Sequence, residues 1–114
     1  MPKIDHFTNQ FTQTGGLAIS GRNAALPFNV TWPMADLTVS SSELHASALW
    51  MYYVFPKDKL IRLSRHKGLF CKGLKITHSI LELPESVVFW TFRLEQLEAA
   101  LTRLGYVVDD KPFG

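Results

Sequence analysis

Between Leu17 and Phe89 turn-forming residues interrupt the chain every few positions, and the runs they leave are short and rich in Val, Ile, Leu, Thr and aromatics. That pattern dictates short strands, because an amphipathic helix needs a longer uninterrupted period. We read Leu17 to Arg22 as a strand left at Gly21-Arg22-Asn23, and Phe28 to Trp32 as an extended stretch stopped by Pro33. Asp36 to Ser40 and Glu43 to Leu49 form a hairpin around Ser40-Ser41-Ser42, whose hydroxyls can bond the nearby backbone. Trp50 to Phe55 follows and ends at Pro56-Lys57-Asp58. Lys59 to Ser64 alternates, with Ile61 and Leu63 on one side. Leu69 to Thr77 and the doubly apolar Val87-Val88-Phe89-Trp90 complete the series.

One element departs from this pattern. Leu94, Leu97, Leu101 and Leu104 are spaced three, four and three apart, which places them on one stripe of a helix over about 92–104. Thr91 is positioned to cap its start, Glu95 and Arg103 suit its dipole, and Gly105 stands where a left-handed residue ends a helix. Strands followed by one terminal helix give a mostly-β class rather than an alternating layout. About seven antiparallel strands in so short a span curl into a barrel or sandwich, and the helix plugs the open end. The chain then reads as one domain. Residues 1–16 form a polar arm that docks the Phe7 and Phe11 rings, with Gly15-Gly16 as a hinge or turn. Residues 17–108 form the β-barrel with its helix, and 109–114 form an exposed tail.

With 46% hydrophobic and 19% charged residues in 114, the chain is of ordinary globular composition, which excludes a disordered protein. Its single cysteine, Cys71, allows no internal disulfide and fits a reducing compartment. The longest strongly apolar run, Ala48 to Phe55, is far short of the ~20 residues that span a bilayer. Met1 to Gly15 lacks the apolar centre of a signal peptide, so the expected location is the cytoplasm.

The second half carries a more particular pattern. Phe55-Pro56-Lys57-Asp58 and Leu60-Ile61-Arg62-Leu63 are followed by Lys67-Gly68-Leu69-Phe70 and Gly73-Leu74-Lys75-Ile76-Thr77-His78. Pro84, Val87-Val88-Phe89-Trp90 and the leucine-striped helix ending at Gly105 come next. This stretch resembles small bacterial proteins of pleckstrin-homology (PH)-like fold. The resemblance implies a seven-stranded, strongly bent antiparallel barrel with a capping helix. It implies no activity, because that fold hosts lipid, peptide and protein sites alike. Many PH domains that bind phosphoinositides are basic around their first inter-strand loop. Here Ser20 to Asn29 offers only Arg22, which speaks against such a site.

Little in the sequence points to catalysis. His6, His45, His66 and His78 form no pair at spacings that bind a metal locally. Cys71, near Lys67 and Lys72, reads as a buried thiol; as a nucleophile it needs His66 or His78 brought close. His78 reads as a structural residue bonded to backbone. Asp36, Glu43, Asp58, Glu82, Glu85, Glu95 and Glu98 sit beside turns or on the helix surface and read as solvated charge. Asn29-Val30-Thr31 matches a glycosylation acceptor, without consequence in a cytoplasmic chain. No enzyme activity, cofactor or metal is expected.

Two features do suggest binding. Lys57, Lys59, Arg62, Arg65, Lys67, Lys72 and Lys75 stand against Asp58 alone, an excess of six positive charges in residues 57–75. The whole chain carries only +2, so the rest carries −4. Such a segment suits an acidic protein or anionic lipid surface, or else keeps a sheet soluble. The segment also suits nucleic-acid phosphates, but the small total charge alone does not imply a nucleic-acid partner. The second feature is Trp50-Met51-Tyr52-Tyr53-Val54-Phe55. Alternation turns either Trp50, Tyr52 and Val54 or Met51, Tyr53 and Phe55 outward, unless the arm covers them. Outward aromatics mark a protein interface, with Trp50, Tyr52 and Tyr53 as the candidates. The expectation is a non-catalytic module that binds protein or itself, with anionic-lipid binding through residues 57–75 as the alternative.

Overall fold

The computed structural model describes residues 10–22, 28–68 and 72–109. The expectations for Phe7, His6, Cys71 and the tail beyond Asp109 fall outside these residues. Eight strands and one α-helix occur among them: β1 (Phe11–Ser20), β2 (Phe28–Val39), β3 (Glu43–Ala48), β4 (Met51–Pro56), β5 (Leu60–Lys67), β6 (Lys72–His78), β7 (Ser86–Thr91), α1 (Leu94–Arg103) and β8 (Val108–Asp109). A 3-10 turn, Lys57–Lys59, separates β4 from β5.

All eight strands join one sheet in the order β4-β3-β2-β1-β7-β6-β5-β8. The sheet is open, with β4 and β8 at its ends, but it curls until distant parts meet. The Phe55 ring of β4 lies 5.1 Å from the His78 ring of β6. The Tyr106 hydroxyl, just ahead of β8, donates to the Ser40 carbonyl at 2.7 Å. The result is a half-barrel whose core fills the concave side, with Leu17, Leu37, Leu44, Phe55, Leu74, Ile76 and Phe89 fully buried.

The mostly-β class and the C-terminal helix match the sequence reading; the strand count does not. There are eight strands rather than about seven, and β8 runs parallel to β5 while the other pairs are antiparallel. Gly105, at φ 93°, turns the chain out of the helix. Val108 and Asp109 then lie beside Leu63 and Ser64, where Arg62 pairs with Asp109 at 2.6 Å.

Four local differences share one cause: the pairing partner of a segment overrides its own composition. β1 starts at Phe11, inside the polar segment read as an arm, with Phe11, Gln13 and Gly15 facing inward. Buried Gln13 is satisfied, because its amide donates to the Arg93 carbonyl at 3.0 Å and accepts from the Thr91 hydroxyl at 2.6 Å. Gly15 and Gly16 are no hinge. They sit within β1, where a Cβ on Gly15 would lie 2.1 Å from the Trp90 carbonyl oxygen and one on Gly16 2.5 Å from that of Val30. Pro33 does not end a strand either. β1 pairs Leu17 with Val30 and Gly15 with Ala35, so residues 31–34 have no rung to β1 and the missing proline N–H leaves none unfilled. Likewise a register shift between Leu60 and Arg62 throws Ile61 outward while Leu63 stays buried.

The helix is shorter than expected at its start. Leu94, Leu97, Ala100 and Leu101 are buried in the common core, and Leu104 packs on its margin. Each buried leucine contributes roughly 2 kcal/mol. Thr91 does not cap the helix itself. It accepts the Arg93 N–H at 3.0 Å, one residue ahead of the first turn. The expected serine turn between β2 and β3 is present: the Ser40 hydroxyl donates to the Glu43 carbonyl at 3.1 Å and accepts its N–H at 3.2 Å.

Candidate interaction surface

The run from Trp50 to Phe55 resolves into two sides. Register pairs Leu44 with Phe55, Ala46 with Tyr53 and Ala48 with Met51, all on the concave side. Phe55 is fully buried, and Met51 and Tyr53 pack on the core margin. Burial raises the Tyr53 phenol above the ordinary tyrosine pKa. Trp50, Tyr52 and Val54 are therefore the outward set, and Tyr53 does not belong with Trp50 and Tyr52 on one face.

The sequence reading ran β3 into β4 without a turn. In fact Leu49 and Trp50 form a two-residue hairpin loop, because Ala48 pairs with Met51. Such loops favour Asn-Gly or a leading Gly, since one or both residues need positive φ. Here Leu49 takes φ 55°, and Trp50 is 79% exposed. The Trp50 indole meets the edge of the Phe28 ring at 5.8 Å.

A second exposed aromatic pair stands nearby. Trp32, at 55% exposure on the β2 bulge, meets Phe92 edge-on at 6.3 Å, and Phe92 is itself 73% exposed. Pairing of Ala35 with Ala48 brings the adjoining residues Met34 and Leu49, both exposed, to the same end of the β2–β3 pair. Trp32 and Trp50 thus follow closely on that rung, one on β2 and one in the β3–β4 loop. The sequence does not single out Trp32, Met34 and Phe92, because Pro33 reads as a stop and Phe92 as a helix residue. The available signal was Trp32-Pro33-Met34, which offers apolar side chains where no ladder rung exists.

The basic segment does not form one patch. The Lys57 ammonium donates to the Leu104 carbonyl at 3.0 Å and lies 4.3 Å from the Tyr106 ring centroid, so it caps the helix C-terminus. Arg62 pairs with Asp109, and Arg65 grips Glu98 with two hydrogen bonds of 2.6 and 2.8 Å. Lys67 and Lys72 face each other across the β5–β6 pair, and Lys75 lies beside Ser64. Lys59 stands at the opposite end of β5, in the 3-10 turn.

Other polar groups have local partners. His78 is buried; its Nδ1 accepts the Ile80 N–H at 3.0 Å, so Nε2 carries the hydrogen that is donated to the Pro84 carbonyl at 2.7 Å. Asp36 accepts from the Thr14 hydroxyl at 2.8 Å, and Glu85 lies 3.9 Å from Arg22. On the outer face of β3 and β4, Glu43 bonds His45, and His45 bonds the Tyr52 hydroxyl. Burial and the nearby Glu43 charge push the Tyr106 phenol up to about 12. Among the described residues no group of three or more His, Cys, Asp or Glu side chains is placed to hold a metal ion, and no helix is long and apolar enough to cross a membrane. Against protein-family models, curated proteins and solved structures, the chain gives no match.

Proposed function

We propose that this chain is a non-catalytic interaction module, built on a PH-like half-barrel in a reducing cytoplasm, that binds a protein partner through the Trp32–Phe92 and Trp50–Phe28 end of its sheet. The Leu49–Trp50 loop carries this reading. A bulky residue at φ 55° and a 79% exposed indole both oppose stability in a two-residue turn. Where local chemistry departs from what the fold favours, the departure suits a contact outside the fold. Exposed tryptophans surrounded by apolar neighbours are the residue type that dominates protein interfaces.

The test compares the wild-type chain with Trp50→Ser and Trp32→Ser variants. Sedimentation over a wide concentration range reads self-association, and quantitative capture from native extract reads a heterologous partner. The expected result is a specific association that both variants weaken at least tenfold while Lys67→Ala leaves it intact. A monomer at all concentrations, together with no capture that depends on either tryptophan, defeats the reading.

One observation favours anionic-lipid binding as a second reading. Lys67 and Lys72 oppose each other directly, an arrangement that costs stability and that a bound anion relieves. Attraction of this pair to a charged bilayer amounts to about 1 kcal/mol per cation. Co-sedimentation with phosphatidylserine vesicles at low salt decides it: a chain left wholly in the supernatant removes this reading.

A further inference from the structure

Three titratable side chains on the outer face of the β3–β4 hairpin form a hydrogen-bonded chain with no part in the core. Strand alternation sets Glu43 and His45 on one face, and the pairing of Ser47 with Tyr52 and of His45 with Val54 puts Tyr52 diagonally across from His45. His45 Nε2 meets a Glu43 carboxylate oxygen, and His45 Nδ1 meets the Tyr52 hydroxyl. With Glu43 ionised and His45 neutral, one proton arrangement satisfies this chain. The carboxylate can only accept, so Nε2 bears the hydrogen. Nδ1 is left with its lone pair, and the phenol donates to it. A carboxylate that orients a histidine, which in turn accepts a hydroxyl proton, is the relay that activates serine in hydrolases. Here it ends on a phenol.

We propose that Tyr52 is a reactive tyrosine, a site of covalent modification by activated acyl donors, with His45 as its base and Glu43 as the group that orients His45. The phenolic oxygen attacks the acyl carbon and forms the ester bond. The bond to the leaving group breaks, and its electron pair departs with that group. The phenol proton passes to His45 Nδ1 and then to the leaving group, giving a tyrosine ester and the protonated leaving group. Glu43 stays ionised and balances the transient imidazolium.

The surroundings leave this chain undisturbed. Tyr52 is 59% exposed on a strand at the end of the sheet, so a small acyl donor reaches it without a pocket. Thr38 stands opposite His45 on β2, and Val54 opposite it on β4; neither titrates. Pro56 faces Glu43, and Lys57 next to it is turned to the Leu104 carbonyl and the Tyr106 ring. The Glu43 charge also acts on Tyr106, whose hydroxyl is held by the Ser40 carbonyl. The inference rests on this chain alone and is independent of the binding reading.

The test acetylates the full-length chain with N-acetylimidazole near neutral pH and locates the product by peptide mass spectrometry. Tyr52 is expected to react at least tenfold faster in the folded chain than in urea, and faster than folded Tyr53 or Tyr106. His45→Phe should return Tyr52 to the rate of the unfolded chain, and Glu43→Gln should lower it severalfold. A folded Tyr52 no faster than the same residue in urea overturns the proposal, and that comparison needs no variant to fold.

Discussion

Replacing Gly15 with alanine distinguishes a hinge from a strand residue packed against its neighbour. In an open hinge the added methyl constrains the unfolded chain and stabilises by ~0.4–1 kcal/mol. In the half-barrel the methyl carbon would lie 2.1 Å from the Trp90 carbonyl oxygen and 2.7 Å from the tip of the Phe89 ring. Restoring even 3.0 Å to that oxygen requires a shift of about 0.9 Å between β1 and β7. Hydrogen bonds of ~2.9 Å lengthened by that amount pass beyond the useful range. The nearest rungs join Gly16 to Trp90 and Leu17 to Phe89, so one or two backbone bonds weaken, at ~1 kcal/mol each. Overpacking of the Phe89 ring adds about 1–3 kcal/mol. The expected loss is therefore about 3 kcal/mol, a large share of the ~5–15 kcal/mol that holds a domain together. Urea titration followed by tryptophan fluorescence measures it, and thermal unfolding should show a midpoint roughly 15 °C lower. A variant as stable as wild type, or more so, refutes the packing reasoning and restores the hinge.

Leu97→Ala opens the sealed side of the helix and should cost about 3 kcal/mol by urea titration, because the leucine is fully buried and its removal leaves a cavity. Gln13→Ala removes the acceptor of the Thr91 hydroxyl proton and one of two donors to the Arg93 carbonyl, which keeps the Leu97 N–H, so exchange of helix amides from Leu97 onward should speed up over wild type more than that of sheet amides. Stability should also fall in alkali. The Tyr106 pKa is raised to about 12 in the folded state from the ordinary 10.0, so its contribution is full below pH 10 and is lost as pH climbs toward 12. Allowing for solvent screening, the loss is about 1 kcal/mol, and Tyr106→Phe should flatten that limb of the pH profile.

The leucine spacing of 94–104 and the Ser40–Ser42 turn are local chemistry, and both were legible in the chain. So was the alternation that buries Phe55 and exposes Trp50, once one of its two sides was chosen. What escaped was decided by partners far away in sequence. Gln13 can be buried only because Thr91 and the Arg93 carbonyl meet it there. Pro33 lies within β2 because Gly16, across the register shift, asks for no rung. The basic segment looked continuous at seven cations, yet Asp109, Glu98 and the helix C-terminus each claim one of them.

The amino-acid order by itself determined the kinds of elements and which side of each is apolar, because those follow from periods of two and 3.6 residues and from turn chemistry. Only the tertiary structure decided strand order, register, the parallel β8 and the Glu43–His45–Tyr52 chain. Those depend on which distant segments pair, and pairing minimises the free energy of the whole sheet rather than of any one run.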